Sequence, residues 1–216
     1  MALQHSPQII MDGLICLLDS ANIKSYTGSG NTWTDLSGNS NNATLSNPTY
    51  NSTTKAIGLS ATGSIGTMSI STINLSSTNN TVMYLSRQTT GGANQLRVLT
   101  GISNNWLLGY WSGYSSQYYA EGWVAGAGGP GAETAWSMYT GTGNVSTDKW
   151  SIWKNGARVG TENSGGTQGP NGLCINTGGY AERSNCEVSL ILVYNRVLTD
   201  TEIIQNFNAV RGRYAL

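Results

Sequence analysis

The sequence predicts an all-β protein: an antiparallel β-sandwich, or jelly roll, carrying one short C-terminal α-helix. Three observations lead there. Apolar residues recur almost throughout with the two-residue period of strands. The intervals between them are filled with turn-forming residues, Gly alone numbering 28. A helical period appears once, near the end of the chain. Many short strands, glycine-rich turns and one terminal helix are the pattern of a sandwich. The 216 residues suffice for one such core. No linker, repeat or heptad divides them, so the expectation is an N-terminal arm over 1–12 and a single domain over 13–216.

The elements follow in order. Residues 13–19, GLICLLD, form an apolar run fit for a core strand. From 20 to 55 the chain reads as loop, a length that must pack on itself or serve a function. Trp33, Leu36, Leu45 and Tyr50 are its candidate anchors. Short strands are expected at 56–60, 67–73, 81–86 and 95–101. In NNWLLGYW, Leu107, Gly109 and Trp111 share one face and Trp106, Leu108 and Tyr110 the other, which marks a central strand. In QYYAEGWVA, alternation puts Tyr119, Glu121 and Trp123 on one face and Tyr118, Ala120, Gly122 and Val124 on the other. GAGGPGAE (126–133) is a turn region, followed by AWSMYTGT. Asn155-Gly156, between alternating runs, predicts a hairpin with a type I′ turn, because both positions require positive φ. NCEVSLILVYN (185–195) is the most apolar strand. A helix over about 200–211 starts at a capping box, Thr199 and Glu202, buries the stripe Ile203, Ile204, Phe207 and Val210, and stops at Gly212.

Composition excludes several functions. Charged residues make up 10%, with Lys+Arg and Asp+Glu both 11, so the formal net charge is zero. Such a chain lacks the basic footprint of nucleic-acid binding and the polybasic patch of membrane docking. No run approaches the ~18 apolar residues of a membrane span, and the N-terminus does not read as a secretory signal. Seven Trp and eleven Tyr stand against one Phe, so nearly every ring carries a polar handle. The three cysteines, Cys16, Cys174 and Cys186, form neither a disulfide framework nor a paired metal spacing. Cys16 reads as a small buried hydrophobe, free thiols imply a reducing compartment, and Cys174 and Cys186 would pair only if their strands were neighbours. Asn-x-Ser/Thr triplets begin at Asn42, Asn51, Asn74, Asn79 and Asn144 and are expected to be unmodified.

Both ends of the chain carry a resemblance. Asp19, Asn22, Ser25, Tyr26, Trp33, Asp35, Leu36, Ser37, Gly38 and Asn39 match the opening of the laminin-G-like, concanavalin A-like jelly-roll domains found in structural proteins of phages and marine viruses. Tyr194, Asn195, Arg196, Leu198, Glu202, Asn206, Phe207 and Gly212 resemble the closing strand, turn and capped helix of that group. The matched ends bracket the rest of the chain. The resemblance implies a non-enzymatic virion component of a tailed phage, serving as decoration, fibre or tail appendage. It would be made in the host cytoplasm and would contact other virion proteins, copies of itself and host surface polysaccharide. The alternative is a purely structural capsid or tail cement without glycan binding. No cofactor, nucleic acid or membrane insertion is implied.

Four candidate sites remain. Glycosidase chemistry is the remote alternative. It needs two carboxylates ~5–9.5 Å apart, and the Glu-x-Asp-x-x-Glu strand motif of laminarinase-like enzymes is absent. Glu182 and Glu187 would point to opposite faces of a continuous strand, and Glu121 and Glu133 would have to converge through the fold. His5 alone supplies neither triad nor ligand cluster. Asp19, Asn22, Asp35 and Asn39 offer oxygens to calcium, but the same residues cap turns through Asx hydrogen bonds, the favoured reading. Tyr110, Trp111, Tyr114, Tyr118, Tyr119, Glu121 and Trp123 form the candidate carbohydrate or partner surface, against the alternative that these rings fill the core. Ile9, Ile10 and Met11, ahead of the first strand, form a candidate docking arm.

Overall fold

A computed structural model describes residues 7–90, 96–126, 131, 133–180, 182–214 and 216. His5, and most of the expected turn region at 126–133, lie outside them. The chain opens with β1 (Leu14–Asp19), β2 (Thr32–Trp33), β3 (Ala43–Ser46), β4 (Thr49–Asn51), β5 (Ala56–Leu59) and β6 (Thr67–Asn74). It continues through β7 (Asn80–Gln88), β8 (Leu99–Thr100), β9 (Trp106–Trp111), β10 (Tyr114–Ala120) and β11 (Trp123–Ala125). Then come β12 (Ser137–Asn144), β13 (Lys149–Lys154), β14 (Ala157–Asn163), β15 (Asn171–Ile175) and β16 (Cys186–Tyr194). Helix α1 (Asp200–Val210) follows and runs into a 3₁₀ turn, Arg211–Arg213. No helix among the described residues is long and apolar enough to cross a membrane.

The strands form two antiparallel sheets stacked as a sandwich. One has the order β14-β13-β12-β7-β16-β5-β4, with β1 also on β16; the other is β11-β10-β9-β8-β15-β6-β3-β2. Alternation sorts each strand between two cores. From β7, Val82 and Tyr84 point between the sheets, while Met83 and Leu85 point outward to a second core beneath α1. In β16, Val188 and Ile191 face the inner core and Leu190, Leu192 and Tyr194 the outer one. A register shift between Val188 and Leu190 resets the alternation there. This is why β16 is apolar on both faces. The sheets are also joined by a buried hydrogen bond, Tyr84 Oη donating to the Leu108 carbonyl at 2.5 Å.

The Asn155-Gly156 hairpin is as expected, with φ of 51° and 75°. Two readings of the strands are corrected, and the cysteines are free, as the sequence implies. The 20–55 stretch contains β2, β3 and β4, with Trp33 and Leu45 buried. β15, unforeseen, sits in the middle of the second sheet. Cys174 lies on β15 and Cys186 on β16, in opposite sheets, so all three thiols are free. Burial pushes Cys174 and Cys186 up to about 12, which keeps them protonated and inert.

At the helix, the capping box forms as expected. The inward stripe is Ile203, Asn206, Phe207 and Val210, whereas Ile204 is 45% exposed. Positions i, i+3, i+4 and i+7 share a face, and Ile204 falls about 100° round from Ile203. Gly212 lies inside the 3₁₀ turn and does not adopt the left-handed stop. Asn206, fully buried, holds the N-terminal segment down: its Oδ1 accepts from Ile10 N–H at 2.8 Å and its Nδ2 donates to Tyr194 Oη at 2.9 Å. Tyr194 Oη in turn donates to the Ile10 carbonyl at 2.9 Å. Asn206→Ala is expected to cost about 1–3 kcal/mol, read from urea unfolding, because it strands these buried partners.

Arg196 donates to both oxygens of Glu202, at 2.6 and 3.0 Å, and Thr199 N–H adds a third bond at 2.8 Å. Arg196 above all pulls the Glu202 carboxyl down to about 2. An unfolded Glu titrates near ~4.3, so on acidification the unfolded chain takes up this proton first. Glu202 therefore stabilises the fold fully above pH ~4.3, and that contribution is lost as pH falls toward ~2. Glu202→Gln is expected to flatten the fall of the urea midpoint across this window. Parallel curves for variant and parent would refute the assignment.

Candidate functional site

The outer face of the second sheet carries an aromatic cleft. β9 sends Trp106, Leu108 and Tyr110 inward, which leaves Leu107 and Trp111 on the outside. β10 pairs Tyr119 with Leu107 on one side and with Trp123 of β11 on the other, so the three form a row across three strands. Gly109 stands between Leu107 and Trp111. With φ +94°, a Cβ there would come 2.1 Å from Tyr84 Oη, so the position requires glycine. It adds no side chain outside, and the Trp111 ring closes on Trp123 with centroids 5.2 Å apart. Tyr119 meets Trp123 at 5.1 Å, again edge to face. Such contacts fix ring positions without burying every face.

A buried arginine completes the cleft. Arg97 is 5% exposed and lies just before β8. Its Nε pairs with Glu182, and its Nη1 donates to Asn105 Oδ1 at 2.8 Å and to Thr100 Oγ1 at 3.4 Å. The Tyr180 ring covers the guanidinium at 4.6 Å. Trp111 Nε1 reaches the other oxygen of Glu182 at 3.4 Å. Arg97, Asn105, Leu107, Trp111, Tyr119, Trp123 and Glu182 thus line a cleft of about 230 Å³.

Of the seven residues expected at this surface, Trp111, Tyr119 and Trp123 come together. Tyr110 and Tyr118 do not: both are 0% exposed in the inner core. Ser116, with φ 60°, bulges β10 and resets which side chains face inward. Tyr114 is 40% exposed at the β9–β10 turn and does not line the cleft. Glu121 is also displaced from the expected row. It occupies the β10–β11 turn with φ 54°, and its Oε1 accepts from Asn105 N–H at 2.6 Å, which orients Asn105. Arg97, Asn105 and Tyr180 were not foreseen as site residues, and Glu182 was weighed only as a glycosidase carboxylate. The available signal was Arg97 inside the apolar run LRVL of a charge-poor chain, where an arginine must find a partner.

The docking arm is also corrected: Ile9 and Ile10 pack against the outer core beside α1, and of the three only Met11, 60% exposed, is free. Three of the four oxygen-bearing loop residues, Asp19, Asn22 and Asp35, cap turns, while Asn39 ties its loop to the first strand as a donor. Asp35 accepts from the N–H groups of Leu17, Ser37 and Asn41 at 2.8, 2.8 and 2.9 Å. Asp19 pairs with Arg213 at 2.8 Å and caps Ala21 N–H, Asn22 caps Lys24 N–H, and Asn39 Nδ2 donates to the Leu14 carbonyl. The glutamates weighed as a catalytic pair have separate partners: Glu133 pairs with Lys154, Glu187 with Arg87 at 2.8 Å, and Glu182 with Arg97. Glu182 is the one carboxylate among the residues lining the cleft.

The strands define an antiparallel β-sandwich of jelly-roll form with one C-terminal helix. No protein-family model matches the sequence, and no curated protein matches it. Solved structures do. The binding domain of Paraclostridial Mosquitocidal Protein 1 superposes with a TM-score of 0.67 at 16% identity, over 92% of this chain and 52% of that one. A botulinum neurotoxin type C structure, described by cell entry through interaction with two ganglioside molecules, gives 0.62 at 17% identity, over 93% and 52%. Trypanosoma rangeli sialidase in complex with the inhibitor DANA gives 0.63 at 16% identity, over 94% and 35%. This chain thus spans about half of the toxin chains and a third of the sialidase. Identities this low establish a shared fold.

Proposed function

We propose that this protein is a glycan-binding module and that the cleft on its second sheet is the binding site. One observation carries the reading: Trp111, Tyr119 and Trp123 stand beside a fixed acceptor, Glu182, and a fixed amide, Asn105. The C–H faces of a sugar ring are drawn to the negative faces of aromatic rings, while its hydroxyls need donors and acceptors held at the rim. The toxin binding domains, one described by its ganglioside contacts, support the reading through their shared fold. The resemblance of both chain ends to viral jelly-roll domains supports display on a tailed-phage particle, as decoration, fibre or tail appendage gripping host polysaccharide.

The test is a glycan array followed by titration of tryptophan fluorescence. Trp123→Ala is expected to weaken the captured glycan at least about tenfold, or ~1.4 kcal/mol, while the far-ultraviolet spectrum stays unchanged. A folded protein that captures no glycan would overturn the reading. Antibody labelling of intact particles tests the virion setting.

A further inference from the structure

We infer that the cleft selects an uncharged pyranose unit and rejects sugars that carry a carboxylate. This rests on the glycan-binding reading and names its ligand class. Arg97, the one cation lining the cleft among the described residues, has its charge balanced by Glu182 at Nε, donates from Nη1 to Asn105 and Thr100, lies under the Tyr180 ring and has a side chain only 6% exposed. Neighbouring Arg183 has its Nε on the Asn176 carbonyl at 3.3 Å and does not line the cleft.

What reaches solvent is negative. The Glu182 side chain is 32% exposed against 6% for Arg97, and the Glu121 carboxylate stands behind Asn105. A ligand carboxylate would meet the more exposed Glu182 first, while the buried Arg97 is already neutralised by it, which is a built-in repulsion. A hydroxyl, in contrast, donates to Glu182 and accepts from the Asn105 amide, whose Oδ1 is already held by Arg97. The volume agrees: about 230 Å³ is below the ~300–1,000 Å³ of drug-sized pockets and suits one ring.

The experiment uses matched pairs that differ in charge: oligogalactosides and oligoglucosides against the corresponding uronic acid oligomers. Each is titrated into the full chain and into Trp123→Ala at low and high salt. The expected result is binding of the neutral member of at least one pair, its acidic counterpart at least about tenfold weaker. The neutral affinity should change less than about twofold with salt, since no ion pair is screened, and should be lost in Trp123→Ala. Tighter binding of the acidic members overturns the selectivity and leaves the glycan reading standing. Binding that survives Trp123→Ala overturns the cleft assignment. Failure of every pair, on protein that also captures nothing from an array, overturns the glycan reading and this inference with it.

Discussion

Replacing Trp106 by alanine is expected to cost about 3–5 kcal/mol of folding stability, the range for large aromatic truncations in a core. Against a total of about 5–15 kcal/mol, this is enough to shift the urea midpoint far or to unfold the protein. Trp106 is fully buried on β9 and meets Tyr118 edge to face at 5.7 Å; Tyr118 meets Trp150 of the opposite sheet at 6.3 Å. The three rings bridge the sandwich from one sheet to the other. Trp111, five residues along the same strand, has its ring in the cleft, and Trp111→Ala should cost well under half as much. Similar losses from both variants would show that β9 does not separate core from surface.

The Arg97–Glu182 pair should respond unequally to removal of its two members. Glu182→Ala leaves a guanidinium whose side chain is 6% exposed without its counter-charge; Arg97→Met leaves a carboxylate that is 32% exposed and can be hydrated. Breaking a buried pair costs about 3–5 kcal/mol when the remaining charge cannot reach water. Glu182→Ala is therefore expected near 3 kcal/mol, softened by the bonds Arg97 keeps to Asn105 and Thr100, and Arg97→Met near 1 kcal/mol. Chemical denaturation of the two variants decides it. The reverse order would mean that Glu182, and not Arg97, is the member dependent on the pair.

Much of the fold was legible because its signals are local. The Asn155-Gly156 turn, the Thr199–Glu202 capping box and the apolar run of β16 each declare themselves within a few residues. β15 was not legible: five residues flanked by Pro170 and Asn176 carry little periodicity, and their place comes from pairing with β6, about a hundred residues earlier. At the site, alternation brought out Trp111, Tyr119 and Trp123 but could not say which face of each strand is inner. Tyr110 and Tyr118 are chemically equal candidates, and the bulge at Ser116 consigned Tyr118 to the core. Arg97 and Glu182 are 85 residues apart, and only the closed sandwich joins them.

The helix and the cleft occupy opposite sides of the molecule: α1 and the Ile9–Ile10 segment cover the outside of one sheet, and the aromatic row lines the outside of the other. The domain therefore has a back and a front, separated by two sheets ~10 Å apart. A support attached at the back, for instance through a cysteine introduced at the exposed Ile204, would present every copy with its cleft outward. A field of such domains would act as a carpet of aligned receptors, in which weak single contacts combine into firm attachment.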